Sequence, residues 1–286
     1  MSTVDTVRTA KNSNREYHSD VDVYSSTMLK NALVSPAHFI QGLLHRFKGS
    51  RSTDFGTLLH ALILEPHTVD EIIAIYPDDF TRLKDCTAFK EKNKERYCLT
   101  LREFVEAQNL ADKTLNSKFR GRHFYKFVEE GIVEESIYYS DPVTGLACRT
   151  RLDLKHPEFT FDVKSTRYSD TSLFSRQACD LHYDLSAYMY TLSRFLHEQK
   201  TEVDARKPKP FVLIPVCSEA PHSVYFMPCS VDFLQNGKSK YEHALAIIKA
   251  CTDVQSWPTL GGEKEIDIAP WQKYTPTDSA LFALSH

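Results

Sequence analysis

The chain has 286 residues, 42% of them hydrophobic, with 35 Lys and Arg against 38 Asp and Glu and a formal charge of −3. That suffices for one elaborated domain or two small ones around a sizeable core, and the absence of an apolar run of about 18 residues or of an apolar signal core in Met1 to Tyr17 points to a soluble, cytoplasmic chain with no membrane partner. Seven cysteines without a Cys-x-x-Cys pair argue against a disulfide framework or a zinc ribbon, and the lack of a glycine-rich phosphate loop argues against ATP.

Residues 1–20 carry few apolar side chains and are expected to form a flexible leader. Residues 21–286 then form a single domain, with a helical extension over about 21–128 and a core over about 129–286. Helices are expected over 26–47, 54–65 and much of 81–128, with runs at Phe89–Tyr97 and Leu101–Leu110. The second of these has Thr53 or Asp54 as N-cap, apolar residues at 55, 58, 59, 62 and 63, and a stop before Pro66. His60 falls at the edge of its apolar stripe, where a packed or surface histidine is the commoner finding. Between Arg82 and Lys126 stand 12 Lys and Arg against 6 Asp and Glu. This excess is either a solvated helical face or an arm that tracks phosphates, with Lys118, Arg120, Arg122 and Lys126 closest to the strands that follow.

Ile132 to Tyr139 is rich in β-branched and aromatic residues, and Asp141-Pro142-Val143-Thr144-Gly145 supplies turn chemistry. Leu146 to Leu154 and Phe159 to Thr166 complete an antiparallel meander. A four-residue loop at Lys155–Glu158 would set Asp162 opposite Arg151, with Asp153 at the diagonal on the same face, roughly 5 to 8 Å away. Alternation adds Lys164 to that face and turns Val163 into the core; a slip of one residue would separate them. Two carboxylates and an ammonium can hold an oxygen-preferring divalent cation against a phosphodiester, stabilise its developing charge and favour an attacking water. An Asp-x-Lys on a strand is more commonly a solvated ion pair, so its place in the meander matters. One of Glu134 and Glu135 must share the acidic face, and parity does not choose between them. Arg149 and Arg151 could contact a phosphate or pair with the acids.

A helix over Ser172–Gln199 follows, with Tyr183, Tyr190 and Phe195 read as core. Strands at Phe211–Cys217 and Ser223–Pro228 and a helix over Val231–Thr252 complete an α/β (α+β) architecture, a mixed sheet flanked by helices.

The pattern Gly56-Thr57-x-x-His60-x-x-x-Leu64-Glu65-Pro66, Gly131-x-x-Glu134-x-Ser136, Thr144-Gly145-Leu146, Arg151-x-Asp153 and Asp162-Val163-Lys164-Ser165-Thr166 resembles the RecE (exonuclease VIII) branch of the PD-(D/E)XK nucleases. The likeness extends upstream through Ser25–Lys30 and Ser35–Phe39, and downstream through Tyr183–Ala187, Tyr190, Gly237, Tyr241, Trp257-Pro258 and Pro270-Trp271, so most of 20–272 is covered. It implies a restriction-endonuclease-like core in which His60, Asp153, Asp162 and Val163 hold Mg2+ or Mn2+. Lys164 then positions the attacking water, and Glu134 is the additional acid. The candidate nucleic-acid contacts are then Arg149, Arg151, Lys118, Arg120 and Arg122, from the distribution of charge along the chain, and Tyr190, from the likeness to the family. Where RecB-type members carry Gln-x-x-x-Tyr, this chain has Ser186 and Tyr190, and a hydroxyl cannot span the distance of an amide. The thiolates of the iron–sulfur nucleases are missing. The activity implied is 5′-to-3′ exonuclease action on double-stranded DNA ends, exposing 3′ single strands for a single-strand annealing protein in recombination, with a ring-shaped homo-oligomer and a phage-like origin. A structure-specific or single-strand endonuclease, and a DNA-binding or assembly module without turnover, are the alternatives.

Overall fold

A computed structural model describes residues 7–10, 17, 20–44, 51–77, 83–201 and 205–263. In chain order its elements are β1 (Arg8–Ala10), α1 (Ser26–Val34), α2 (Pro36–Leu44), α3 (Arg51–Leu64), α4 (Val69–Ile72), β2 (Ile73–Ile75), α5 (Leu83–Lys92), β3 (Tyr97–Leu99), α6 (Leu101–Asn116), β4 (Lys118–Phe119), β5 (Arg122–His123), α7 (Phe124–Glu130), β6 (Ile132–Ser140), β7 (Ala147–Lys155), β8 (Thr160–Thr166), α8 (Thr171–Asp180), α9 (Tyr183–Thr201), β9 (Phe211–Cys217), β10 (Met227–Pro228) and α10 (Val231–Val254). Most of the expected leader, the helix ends at 45–47 and 81–82, and the Pro270-Trp271 pair lie outside the described residues.

The strands β1-β6-β7-β8-β9-β10 form one six-stranded sheet. Its pairings are antiparallel except β8 with β9, which run parallel. A parallel strand covered on both faces should be apolar throughout, and all seven residues of β9 are buried. On one face Leu59 and Ile63 of α3 pack with Leu110, Phe124, Phe161, Val163, Ile214 and Val216. On the other, Leu185 and Met189 of α9 pack with Tyr241 and Leu245 of α10, Leu29 of α1, Tyr139 and Cys148. The expected mixed sheet between helices is therefore present.

Local chemistry explains the boundaries, including those that differ from expectation. The helix expected over 26–47 is divided, because Ser35 is extended and Pro36 opens α2, a position where its missing N–H is harmless. α3 begins at Arg51, ahead of the caps proposed at Thr53 and Asp54. The Phe89–Tyr97 run stops at Lys92, and Tyr97–Leu99 pairs in parallel with Ile73–Ile75. At α6, Glu103 N–H donates to Thr100 Oγ1 (3.2 Å) and Thr100 N–H to Glu103 Oε2 (2.8 Å), a reciprocal cap. The Ser172–Gln199 helix is split between α8 and α9 near His182, whose φ is 53°. Ser223–Pro228 is reduced to β10 and a bridge from Val224 to Val216. In the expected leader, Arg8–Ala10 pairs with Tyr138–Ser136 and extends the sheet.

The meander forms, with one register difference. His156 N–H donates to Phe159 O (3.0 Å) and Phe159 N–H to His156 O (3.2 Å), so the loop is the two residues Pro157-Glu158. Leu154 therefore pairs with Phe161 and Lys155 with Thr160, and continuing that count sets Asp162 across from Asp153 instead of Arg151. A shift of two residues preserves the face, which is why the convergence survives it. Beyond this pairing the strands part. β8 runs on beside β9, while Tyr24 occupies the edge of β7, donating to Ala147 O and accepting from Arg149 N–H, both at 2.9 Å. In the fork, the Asp153 carboxylate accepts from Val163 N–H at 2.8 Å, replacing a ladder bond.

Candidate active site

Three strands and one helix deliver their polar groups to this fork. α3 lies close to β8 because Gly56 has no side chain; a Cβ there would stand 2.9 Å from Ser165 Oγ. One turn later His60 reaches across, with Nε2 2.9 Å from Asp153 Oδ2 and Nδ1 3.4 Å from Glu134 Oε1. Donor atoms of His60, Glu134 and Asp153 all lie within 4.8 Å of one another. Glu134 enters the group through a left-handed backbone, φ 53°. Its neighbours keep their register, Val133 with Leu154 and Glu135 with Leu152. Glu135 is taken up elsewhere, paired with Lys155 at 2.9 Å. Beside the triad, Lys164 Nζ stands 2.6 Å from Asp162 Oδ2 and donates to the Val163 carbonyl at 3.4 Å.

The electrostatics are those of three carboxylates interleaved with the cationic groups of His60, Arg151 and Lys164. Burial, reinforced by Asp153, pushes Glu134 up to about 7 although His60 opposes it. Burial and the charge of Asp153 likewise raise Asp162 to about 6. Burial works against the charge on Asp153 too, but His60 and Lys164 outweigh it and hold that carboxyl down to about 2. For His60, burial favours the neutral ring, yet Asp153 and then Glu134 carry it up to about 9. Lys164 is raised above the ordinary lysine value by Asp162 and Asp153, against burial. Clustered carboxylate oxygens with one imidazole fit a divalent cation. His60, Glu134 and Asp153 would hold it, with Asp162 and the Val163 carbonyl adjacent.

The structure brings Arg151 to this group, with Nε 3.7 Å from Glu134 Oε2 and 3.2 Å from Ser136 Oγ. It does not offer Arg149, which is 2% exposed. The Arg149 guanidinium donates to the Asp20 carbonyl and lies 4.9 Å from the centre of the Tyr17 ring, which also stacks on Arg151 at 4.3 Å. A direct phosphate contact by Arg149 is thus replaced by an internal role, because the segment that covers it lies far upstream in sequence. Tyr190 is half-buried and packs edge-on against Phe211 at 6.1 Å; burial, with Asp162 nearby, lifts its hydroxyl to about 12. Ser186 is buried. In the basic stretch, Arg120 lies over Phe159 at 4.8 Å, Arg122 pairs with Glu130 at 2.5 Å, Lys126 pairs with Glu129 at 2.9 Å, and Lys118 is exposed on β4. Three of these four cations are thus occupied by an aromatic ring or a neighbouring acid. Sequence reading gave no role to Tyr17, and quoted Lys30 of α1 only within the Ser25–Lys30 stretch; the Lys30 ammonium shares the Tyr183 ring with that of Lys164, at 5.2 and 5.6 Å.

The profile of a family described as "PDDEXK-like domain of unknown function (DUF3799)" matches residues 25–269. Comparison with curated proteins gives no match. Among solved structures, the crystal structure of a protein from Eubacterium rectale described as "Putative exonuclease" is similar with a TM-score of 0.60 at 13% identity, over 85% of this chain and 88% of that one. At that identity the likeness is one of fold. The family match spans most of the sequence, and the chain belongs to the PDDEXK-like family.

Proposed function

We propose that this PDDEXK-like protein is a metal-dependent nuclease that hydrolyses DNA phosphodiesters. The observation that carries the reading is the convergence of His60, Glu134, Asp153, Asp162 and Lys164 at the β7–β8 fork. A divalent cation bound there supplies a Lewis acid for the phosphate and a lower pKa for the attacking water. Of the chain's own groups, Asp153 is held ionised by His60 and Lys164. Asp162, which stands beside the triad and is raised toward neutrality by burial, is able to accept a proton from water near pH 7. Lys164 keeps its charge, fixes Asp162, and retains one N–H donor for a water or a phosphate oxygen. Arg151, anchored by Ser136 and close to Glu134, adds positive charge beside the carboxylates.

The finer reading is an exonuclease acting 5′ to 3′ on double-stranded DNA ends with Mg2+, Mn2+ also serving, and feeding 3′ single strands to an annealing protein. The residue pattern resembling the RecE branch supports it, as does the description of the structural neighbour as an exonuclease. A ring-shaped homo-oligomer belongs to the same reading. The test is digestion of linear duplexes phosphorylated at the 5′ or the 3′ end, beside covalently closed circles, with and without EDTA. Loss of the linear substrate from its 5′ ends in Mg2+, with circles spared and EDTA abolishing the reaction, is the expected result. Cleavage of circles would move the assignment to an endonuclease.

A further inference from the structure

The helix α1 brings to the candidate site an ammonium that, among the described residues, forms no ion pair. Leu29 and Ala32 anchor α1 in the core, which fixes the direction of Lys30 between them. Around Lys30 stand Asp162, Asp184, Lys164 and Lys240. Asp162 is paired with Lys164 at 2.6 Å, and Asp184 with Lys240 at 2.8 Å. Asp184 also accepts from Leu185 N–H at 2.9 Å and from the Asn236 amide. Both carboxylates nearest Lys30 are thus already paired with other lysines. Among the described residues its contact is the Tyr183 ring at 5.2 Å, which offers a π face but no hydrogen-bond acceptor. Burial, helped by Lys164, pulls Lys30 down to about 8.

Lys30 is only partly exposed, and among the described residues its ammonium has no hydrogen-bond acceptor, so it is open to a ligand that supplies one. A methionine would fill similar volume without setting a third like charge beside Lys164 and Lys240. Departures of this kind mark places where a ligand completes the arrangement. The missing partner must be an anion, and it must reach a point beside the Asp162–Lys164 pair.

We propose that Lys30 is a phosphate-binding residue, donating to a non-bridging oxygen of the DNA phosphate adjoining the one that is hydrolysed. The proposal rests on the nuclease reading for the identity of the anion. It makes α1, remote in sequence from the strands, part of the substrate site. Lys30 acts by holding the backbone in register with the fork and takes no part in bond cleavage.

The test compares the wild type, Lys30→Met and Lys30→Arg for binding of a 5′-phosphorylated duplex in Ca2+ across a KCl series, beside steady-state cleavage in Mg2+ and metal-free thermal melts. Losing one hydrogen bond to a charged group weakens binding by a factor of about ten. Losing one phosphate contact reduces the slope of log affinity against log salt by about 0.9. Lys30→Met should show both changes, with KM affected more than kcat, while Lys30→Arg keeps the wild-type slope. The metal-free melting temperature of Lys30→Met should equal or exceed that of the wild type, a direction opposite to the one a structural lysine gives. A wild-type slope and affinity in Lys30→Met would overturn the proposal, whatever its melting temperature. A wild type that binds the duplex but never cleaves it would refute the nuclease reading, and the salt-slope comparison would still decide for or against Lys30.

Discussion

The β7–β8 hairpin that lines Asp153 up with Asp162 is held from behind by one buried arginine. Arg194 of α9 donates from Nη1 to Phe159 O (2.5 Å) and Thr160 Oγ1 (3.0 Å), from Nη2 to His156 O (2.8 Å), and from Nε to Glu198 Oε1 (2.6 Å). Its side chain is 2% exposed and that of Glu198 1%. Arg194→Met removes these bonds, with a longer one from Nη2 to Pro157 O (3.4 Å), and leaves the Glu198 charge buried without a counterion. Breaking a buried pair from one side costs about 3–5 kcal/mol, and at about 2–4 °C per kcal/mol for a chain of comparable size the melting temperature should fall by roughly 10 °C. The double variant Arg194→Met/Glu198→Met should recover most of that loss, because matched apolar replacement of a buried pair is often neutral. Calorimetry of the three proteins checks the stability term, and cleavage of linear duplex checks the site, where the single variant should lose activity by loosening the hairpin. A single variant within about 2 °C of the wild type, or a double variant no more stable than the single, would refute the reasoning.

Asp162→Ala should reduce Mg2+-dependent cleavage by at least about 10²-fold, because it removes a carboxylate beside the triad and frees Lys164; cleavage at the wild-type rate would remove Asp162 from the site. Gly237→Ala should be strongly destabilising, since a Cβ there would stand 2.0 Å from Asp184 O, where α9 and α10 meet; overpacking of this kind costs about 1–3 kcal/mol, and a denaturant midpoint equal to the wild type would contradict it. For pH dependence, Glu134 is raised from 4.5 to about 7 and Asp162 from 3.8 to about 6 in the metal-free fold, so the stability these groups lend at low pH is lost as pH rises through those values. His60 is raised from 6.5 to about 9, so its stabilisation is complete below about 6.5 and disappears as pH climbs through 9. The metal-free melting temperature should accordingly decline from about pH 5 to about pH 9, and Mg2+ should restore it most at the alkaline end; a pH-independent melting temperature, or the same Mg2+ effect at both ends, would count against a metal at these residues.

What the sequence made legible was local. Alternation from Ile132 to Tyr139 and from Phe159 to Thr166 marked strands because one residue in two must face a core, and the same rule placed Val163 inside. It could not choose Glu134 over Glu135, since the choice is made by a left-handed backbone at Glu134, which breaks alternation. The register of Asp162 depended on whether His156 and Phe159 bond to each other, a question of turn geometry that composition leaves open. Distant partners were beyond reach. Arg149 is internal because of Tyr17 and Asp20, and β1 is a strand because β6 has a free edge. The break between α1 and α2 was visible at Pro36, whereas the one near His182 has no proline to announce it.

The bond from Val163 N–H to the Asp153 carboxylate makes a main-chain amide the tether of a prospective metal ligand. Any rotation of that carboxylate toward an ion must lengthen or tighten the tether, so the solvent-isotope lability of this one amide is a gauge of occupancy. It registers the event in the backbone of the strand that also carries Asp162 and Lys164. Loading of the centre and the rigidity of its central strand are, by this arrangement, one variable.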